Sequence, residues 1–390
     1  MIRIAIIAYE VSADRLGVCL LDELKRRLGA VEFEGVVGER MQAAGCRLLE
    51  SPEPLAVMGL FEVLRHLPQL LQSRRRLLRH FLSQQPDLFI GIDAPDFNLG
   101  LELKLRQQGI ATVHYVSPSF WAWRQGRVRL LTQATDLVLS IFPFELEFLQ
   151  AQGVNARYVG HPLAQKIPLQ IDQAAARTAM GLPLEGEVVA ILPGSRSSEI
   201  KRLTRPFLQA AQLLVAQRPG IRFVLPVPGA KQRALVEREW AAWEKEGAGE
   251  GRGKLDCRLV DDSHQAMAAA DLLLTASGTA TIEGLMHKRP MLVAYRLNPL
   301  TYALFKRLIR VPWIAMANLL AGEELAEEFV QQRCQPELLA QGLVALLADA
   351  PRRQRIAQRY GEIHAQLRLD SAKLAADAVL ELLRSRGHAV

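Results

Sequence analysis

Asp93 and Asp96 stand on either side of Pro95, directly after the apolar run DLFIGI, a pattern suited to acid–base chemistry. A carboxylate at the end of a buried strand is partly desolvated, which fits it to take a proton from a hydroxyl. Asp96, two residues before Asn98, fits a helix N-cap, so Asp93 is the candidate base. Farther along, Pro193-Gly194-Ser195-Arg196 follows the run VVAIL and precedes a helical pattern. Backbone N–H groups and a guanidinium fork there could converge on a diphosphate; the alternative is a glycine turn with a solvated arginine. Ser277-Gly278-Thr279 holds the same position after DLLLTA, as a second phosphate cradle or an ordinary N-cap. A capping box with Glu283 would need Ser or Thr at position 280, where Ala280 stands. Its carboxylate could therefore accept from two ribose hydroxyls, the alternative being an exposed helix glutamate. Trp121 and Trp123 alternate about Ala122 and read as core or interface residues, with Arg124 and Arg127 as a solvated helix start. No D-x-D pair, H-E-x-x-H or G-x-S-x-G occurs. A reaction on a nucleotide-bearing substrate without metal or cofactor is expected, Arg196 and helix N-termini taking a cation's place.

All these residues follow apolar runs that alternate with helix-period stretches. IRIAIIA, DLFIGI, TVHYV and DLVLSI come first; VVAILP, IRFVLPV, CRLV, DLLLTA and PMLVAY follow a proline-bearing linker at 160–187. Such alternation implies parallel sheets covered on both faces, with ligands beyond the carboxyl ends of the strands. The expected fold is α/β: two Rossmann-like domains, 1–165 and 186–345, facing across a cleft, then C-terminal helices over 346–390. Those helices pack back on the first domain or on a partner chain, as in a homodimer. The second domain's first helix is read from Pro206. The glycine-rich run EKEGAGEGRGKLD matches no phosphate-binding motif and reads as a surface loop.

With 390 residues, 49% hydrophobic and 23% charged, the chain is long enough for two cores and reads as a globular protein. Four separated cysteines suggest neither a disulfide framework nor a zinc site, and point to a reducing compartment. The first residues suit a buried strand better than a signal peptide, and no apolar run is long enough to span a bilayer. The net charge of +7 is unevenly spread, for residues 62–80 hold five arginines against one glutamate. There Val57, Met58, Leu60, Phe61 and Leu64 precede Arg74, Arg75 and Arg76 in a stretch broken by Pro68, apolar and basic enough to dock on an anionic membrane. Nothing points to a nucleic-acid partner.

The motifs LAVMG (55–59), GIDAPDFN (91–98), HYVSPSFWAWR (114–124), VGHPL (159–163), LPGSR (192–196), ASGTATIE (276–283) and NLLAGEEL (318–325) together resemble the lipid-A-disaccharide synthase family. That family consists of inverting glycosyltransferases of the two-Rossmann GT-B fold, and the resemblance covers nearly the whole chain. It implies UDP-2,3-diacylglucosamine on the second domain, with Arg196 at the diphosphate and Glu283 at the ribose. It implies 2,3-diacylglucosamine 1-phosphate on the first, its 6-hydroxyl deprotonated by Asp93, giving a β-1,6 disaccharide. Glu10, Ser12 and Asn318 match other active-site positions of the family, and the implied location is cytoplasmic, peripheral on the inner face of the cytoplasmic membrane. Tyr9, Ala13 and Ala317 stand where the family usually has Gly, Gly and Pro. A Cβ at positions 9 and 13 would restrict positive φ and narrow the first loop. A UDP-sugar 2-epimerase of the same fold, or a catalytically dead nucleotide-sugar or lipid binder, are the alternative readings.

Overall fold

The computed structural model describes residues 1–52, 60–123, 125–227, 229–247, 255–298, 302 and 306–390, with only the backbone of Val11 and of residues 60–66. Val57, Met58, Arg124 and the run 248–254 lie outside the described residues, as do the side chains of Leu60, Phe61 and Leu64. The chain divides into two units, Met1–Gln165 with Leu367–Val390, and Lys166–Gln366.

The first unit is built on a seven-stranded parallel sheet ordered β3-β2-β1-β4-β5-β6-β7. Its strands are β1 (Ile2–Ala8), β2 (Val31–Val37), β3 (Arg47–Leu48), β4 (Leu88–Ile92), β5 (Ala111–Tyr115), β6 (Leu137–Ser140) and β7 (Ala156–Tyr158). The continuous apolar runs are explained by burial on both faces: every residue of β4, β5 and β6 is buried. Helix α1 (Val11–Leu28) follows β1, α2 (Glu39–Ala43) follows β2, α3 (Leu60–Gln84) precedes β4, α4 (Pro95–Arg106) follows it, and α5 (Pro143–Ala151) follows β6. Strand order reverses between β1 and β4, whose register pairs Ile7 with Gly91, so Tyr9-Glu10 and Asp93-Ala94 emerge at the same edge.

Helix α3 runs through Pro68 instead of breaking there. A proline inside a helix loses one backbone hydrogen bond and crowds the preceding turn. Tertiary packing outweighs that cost, because Leu77 and Phe81 are buried against Phe89, Phe97 and Leu101. The helical stretch 346–390 is divided between the units. Its last helix, Ser371–Ser385, packs Ala375, Ala376, Val379, Leu380 and Leu383 into the same core as Leu20, Leu21 and Leu24 of α1. Burying each of the larger aliphatic side chains stabilises the fold by about 1.5–3 kcal/mol.

The second unit repeats the plan with six parallel strands ordered β10-β9-β8-β11-β12-β13. They are β8 (Val188–Leu192), β9 (Arg222–Pro226), β10 (Cys257–Val260), β11 (Leu272–Ala276), β12 (Met291–Tyr295) and β13 (Glu327–Val330). Its first helix after β8, α6 (Ser197–Gln217), begins nine residues before the expected Pro206, which is buried inside it beside Leu203, Phe207 and Ala210. Helix α7 (Thr279–Met286) follows β11 and α8 (Met316–Ala321) precedes β13. The reversal falls between β8 and β11, where Leu192 pairs with Thr275, bringing 193–196 and 277–279 to one edge.

Candidate active site

At that edge of the second unit lies a cavity of about 310 Å³, lined by Gly194, Ser195, Arg196, Ser277, Gly278, Thr279 and Glu283. Two helices begin on it. Arg196 is the N-cap of α6 and Gly278 that of α7, and neither side chain can accept a hydrogen bond from the first turn. Both helix dipoles therefore direct positive potential into the cavity, which favours an anion. Gly194 has φ 108°, and a Cβ there would lie 2.4 Å from Glu199 Oε2, so only glycine fits the turn. Glu199 in turn accepts from the Arg196 backbone N–H at 3.3 Å and pairs with its guanidinium at 3.6 Å, leaving the Arg196 side chain 61% exposed. Ser277 donates its hydroxyl to the Ile314 carbonyl at 3.1 Å. Half-buried Glu283 faces the cavity one turn into α7, and its backbone carbonyl accepts from His287.

Pro226, Val227, Gln232, Ser263 and Glu199 also line it and escape the sequence reading as site residues. Glu199 is obscured by a helix start read at Pro206. Gln232 and Ser263 are ordinary in type, and their one signal is position just after β9 and β10. Asp261 and Asp262, also polar strand-end residues, serve the fold: Asp262 caps a helix by accepting from His264 N at 2.8 Å, and Asp261 pairs with Arg233 at 2.8 Å.

At the corresponding edge of the first unit, Asp93 (φ 57°) and Ala94 (φ 46°) are consecutive left-handed residues, and Val116 (φ 76°) lies one residue beyond β5. None is glycine, and each such conformation costs on the order of 1–3 kcal/mol, a kind of strain that collects at functional sites. The Asp93 carboxylate accepts from Ala94 N at 2.8 Å, and Asp93 N–H donates to the Tyr115 carbonyl at 2.8 Å. Ala94 is the N-cap of α4, with Pro95 in its first turn, so Asp96 is not the cap. Asp96 lies in that first turn, 79% exposed, and pairs with Arg127 at 2.6 Å, an arrangement worth little in water. Arg127 also lies over the Phe120 ring, 5.1 Å from its centroid.

Half-buried Glu10 is the N-cap of α1, and exposed Ser12 sits in its first turn. Tyr9 packs edge-on against Phe97, and burial pushes its phenol up, helped by the charges of Glu10, Asp93 and Asp96 gathered around it. Neither Tyr9 nor Ala13 has positive φ, because α1 starts at Val11 and Ala13 lies inside it. Neither position therefore needs glycine's freedom. Asn318 is fully buried, donates to Ala326 O and Glu328 Oε1, and accepts from Leu325 N and Ala326 N. Its amide is fully engaged by the protein, tying α8 to the segment that enters β13.

The sequence profile of the family described as lipid-A-disaccharide synthetase matches residues 4–382. The chain is 49% identical over 386 residues to the lipid-A-disaccharide synthase of Pseudomonas paraeruginosa, covering 99% of each chain. It is 50% identical over 384 residues to that of Azotobacter vinelandii, covering 98% of each. The chain belongs to the lipid-A-disaccharide synthase family. It is accordingly a glycosyltransferase of lipid A biosynthesis. Two solved structures illustrate the GT-B fold it shares. The calicheamicin glycosyltransferase CalG4 matches with TM-score 0.60 and 15% identity over 100% of both chains. A UDP-GlcNAc 2-epimerase from Neisseria meningitidis, bound to UDP-GlcNAc, matches with TM-score 0.60 and 10% identity over 97% of this chain and 99% of that one.

In this lipid-A-disaccharide synthase homologue the motif residue Trp121 has a partner that the sequence reading missed. Its indole N–H donates to Glu145 Oε1 at 3.0 Å, and its ring meets Phe144 edge-on at 4.8 Å. Glu145 is buried, and burial pushes its carboxyl up to about 7, against hydrogen bonds from Ser140 and Trp121. Ser140 has one hydroxyl proton but two acceptors, Phe142 O at 2.9 Å and Glu145 Oε2 at 2.6 Å. A protonated Glu145 satisfies both by donating to Ser140. Since its folded value lies above the ordinary one, its stabilising effect is complete below the ordinary carboxylate range and is lost as pH rises through about 7. Glu145→Gln, which keeps a donor in that place, should gain on the native protein by about 2–3 kcal/mol between pH 5 and pH 8 in denaturant titrations. A difference independent of pH would show that Glu145 does not titrate there.

Proposed function

We propose that the chain transfers 2,3-diacylglucosamine from its UDP derivative to the 6-hydroxyl of 2,3-diacylglucosamine 1-phosphate with inversion, giving the β-1,6 disaccharide 1-phosphate and UDP. The observation that carries this reading is the family match, which runs through both units from residue 4 to 382. Asp93 takes the hydroxyl proton; the oxygen then forms its bond to the anomeric carbon from the face opposite the diphosphate as the bond to UDP breaks. Charge developing on the diphosphate meets Arg196 and the first turns of α6 and α7, while Glu283 takes the ribose hydroxyls. This arrangement calls for no metal. The test is incubation with both diacyl substrates in the presence of a chelator, with UDP and disaccharide phosphate as the expected products. Product formed with net retention, or none without a divalent ion, would overturn the mechanism. Conversion of UDP-N-acetylglucosamine alone would instead make the protein an epimerase.

The acceptor's acyl chains must leave a bilayer, and we assign that contact to the inner face of the cytoplasmic membrane through residues 55–80. Exposed Leu67, Arg75 and Arg79 support this reading, whereas Arg76 pairs with Glu50 at 2.8 Å within the chain. Among the described residues no helix is long and apolar enough to cross a membrane. Each free arginine near an anionic surface adds about 1 kcal/mol, screened by salt. Vesicles containing phosphatidylglycerol should therefore retain the protein at low salt and release it as salt rises, and Phe61→Ser with Leu64→Ser should bind less while folding normally. Equal retention of wild type and variant would sink the idea.

A further inference from the structure

Behind the Asp93 loop lies a polar cluster that the mechanism does not use. Asn98, Glu102 and His114 are each fully buried. Asn98 and Glu102 stand one turn apart on α4, and both face β4 at Gly91, where a Cβ would fall 2.1 Å from Glu102 Oε1 and 2.9 Å from the Asn98 Cβ. Gly91 pairs with His114 across the β4–β5 ladder, and His114 Nδ1 lies 2.8 Å from Glu102 Oε1. Glycine at 91 thus makes the space into which two polar helix side chains reach a histidine on the next strand.

Three atoms of this cluster, Asn98 Oδ1, Glu102 Oε2 and His114 Nε2, are buried with no hydrogen-bond partner in the protein. Unpaired buried polar atoms destabilise a fold, so apolar side chains would serve this core better if stability were the cluster's only role. Among the described residues its side chains are linked outward by hydrogen bonding to the strained loop. Asn98 Nδ2 donates to the Asp93 carbonyl at 2.8 Å, and Asn98 N–H donates to the Ala94 carbonyl at 3.0 Å. The Asn98 side chain therefore grips the carbonyl of the peptide that joins the two left-handed residues, while the Ala94 carbonyl is held by ordinary first-turn helix bonds from Phe97 and Asn98, and the cluster lies behind that side chain.

We propose that Asn98 is a positioning residue for glycosyl transfer: backed by Gly91, Glu102 and His114, it holds Asp93 and Ala94 in the left-handed pair and so aims the Asp93 carboxylate. This rests on Asp93 being the base. Without the grip the pair relaxes toward ordinary backbone angles, and the carboxylate swings away from the hydroxyl it must reach. Rates fall steeply with such misplacement, while binding of either substrate changes little.

The experiment measures kcat, KM for both substrates and UDP affinity in Asn98→Ala, Asp93→Asn and the double variant. The expected result is a fall of roughly 10- to 100-fold in kcat for Asn98→Ala, with KM and UDP affinity within about 3-fold. In the Asp93→Asn background the same change should cost nothing further, since an aiming device has nothing left to aim. Adding Ala94→Gly to Asn98→Ala should restore part of the rate, because glycine adopts positive φ without strain. If Asn98→Ala does not fold, Glu102→Gln, which keeps the side chain's shape, is read in its place with the same expectation. An unchanged kcat, or additive losses in the double variant, would overturn the proposal while leaving Asp93 as base. A normal rate in Asp93→Asn would overturn the reading on which it rests.

Discussion

Replacing Asp93 by asparagine should lower turnover by about 10²- to 10⁴-fold, the usual worth of general-base assistance. Asparagine is the informative replacement. Its Oδ1 can still accept the Ala94 N–H that Asp93 holds at 2.8 Å, and among non-glycine residues it is one of the most tolerant of the left-handed conformation Asp93 adopts. The loop should therefore keep its shape while losing its proton acceptor. Asp93→Ala removes both, and should match the loss of turnover with an added loss of melting temperature. UDP binding should be unchanged in both, because the residues assigned to UDP belong to the other unit. The measurement is steady-state turnover with both diacyl substrates beside a UDP titration. Near-normal turnover in Asp93→Asn, with turnover lost in Asp96→Ala, would exchange the two roles. The exposure of Asp96 and its pairing with Arg127 argue against that outcome.

Arg196→Lys should weaken UDP binding by about 1.5–3 kcal/mol, roughly 10- to 150-fold in Kd. The guanidinium stands 61% exposed beside two helix N-termini, and its planar fork can hold two phosphate oxygens at once. An ammonium keeps the charge but acts as a single point, and Glu199 beside it would compete for that point. Gly194→Ala should be at least as damaging, since its Cβ would displace the same glutamate at φ 108°. Calorimetric titration of UDP into the variants is the check. Unchanged affinity in Arg196→Lys would put the diphosphate elsewhere in the cavity.

The two parallel sheets, and the strand ends on which the candidate residues stand, are legible in the sequence alone. Strands buried on both faces must be nearly all apolar, as in IRIAIIA, DLFIGI, VVAILP and DLLLTA, and the residue types that follow them stand out at once. Strands that bury less hid better. β2 reads VEFEGVV, alternating only over its first four residues, and β13 reads EEFV, so neither forms the continuous apolar run of a strand buried on both faces. The helices through Pro68 and Pro206 were equally hidden, for proline's local cost is visible in sequence and the distant packing that outweighs it is not. Partner choice lay beyond the sequence for the same reason. Asp96 has the right type for a cap, yet the left-handed turn at Asp93 and Ala94 moves the helix start two residues back and leaves Asp96 to Arg127. Asn318 carries a family motif, yet its amide is taken by Leu325, Ala326 and Glu328. Nothing near Asn98 announces that a histidine on the next strand and a glutamate one turn on will enclose it. Local sequence encodes burial and chain direction through composition and period, whereas a polar side chain's partner is decided by whichever distant residues the completed sheet brings within 3 Å of it.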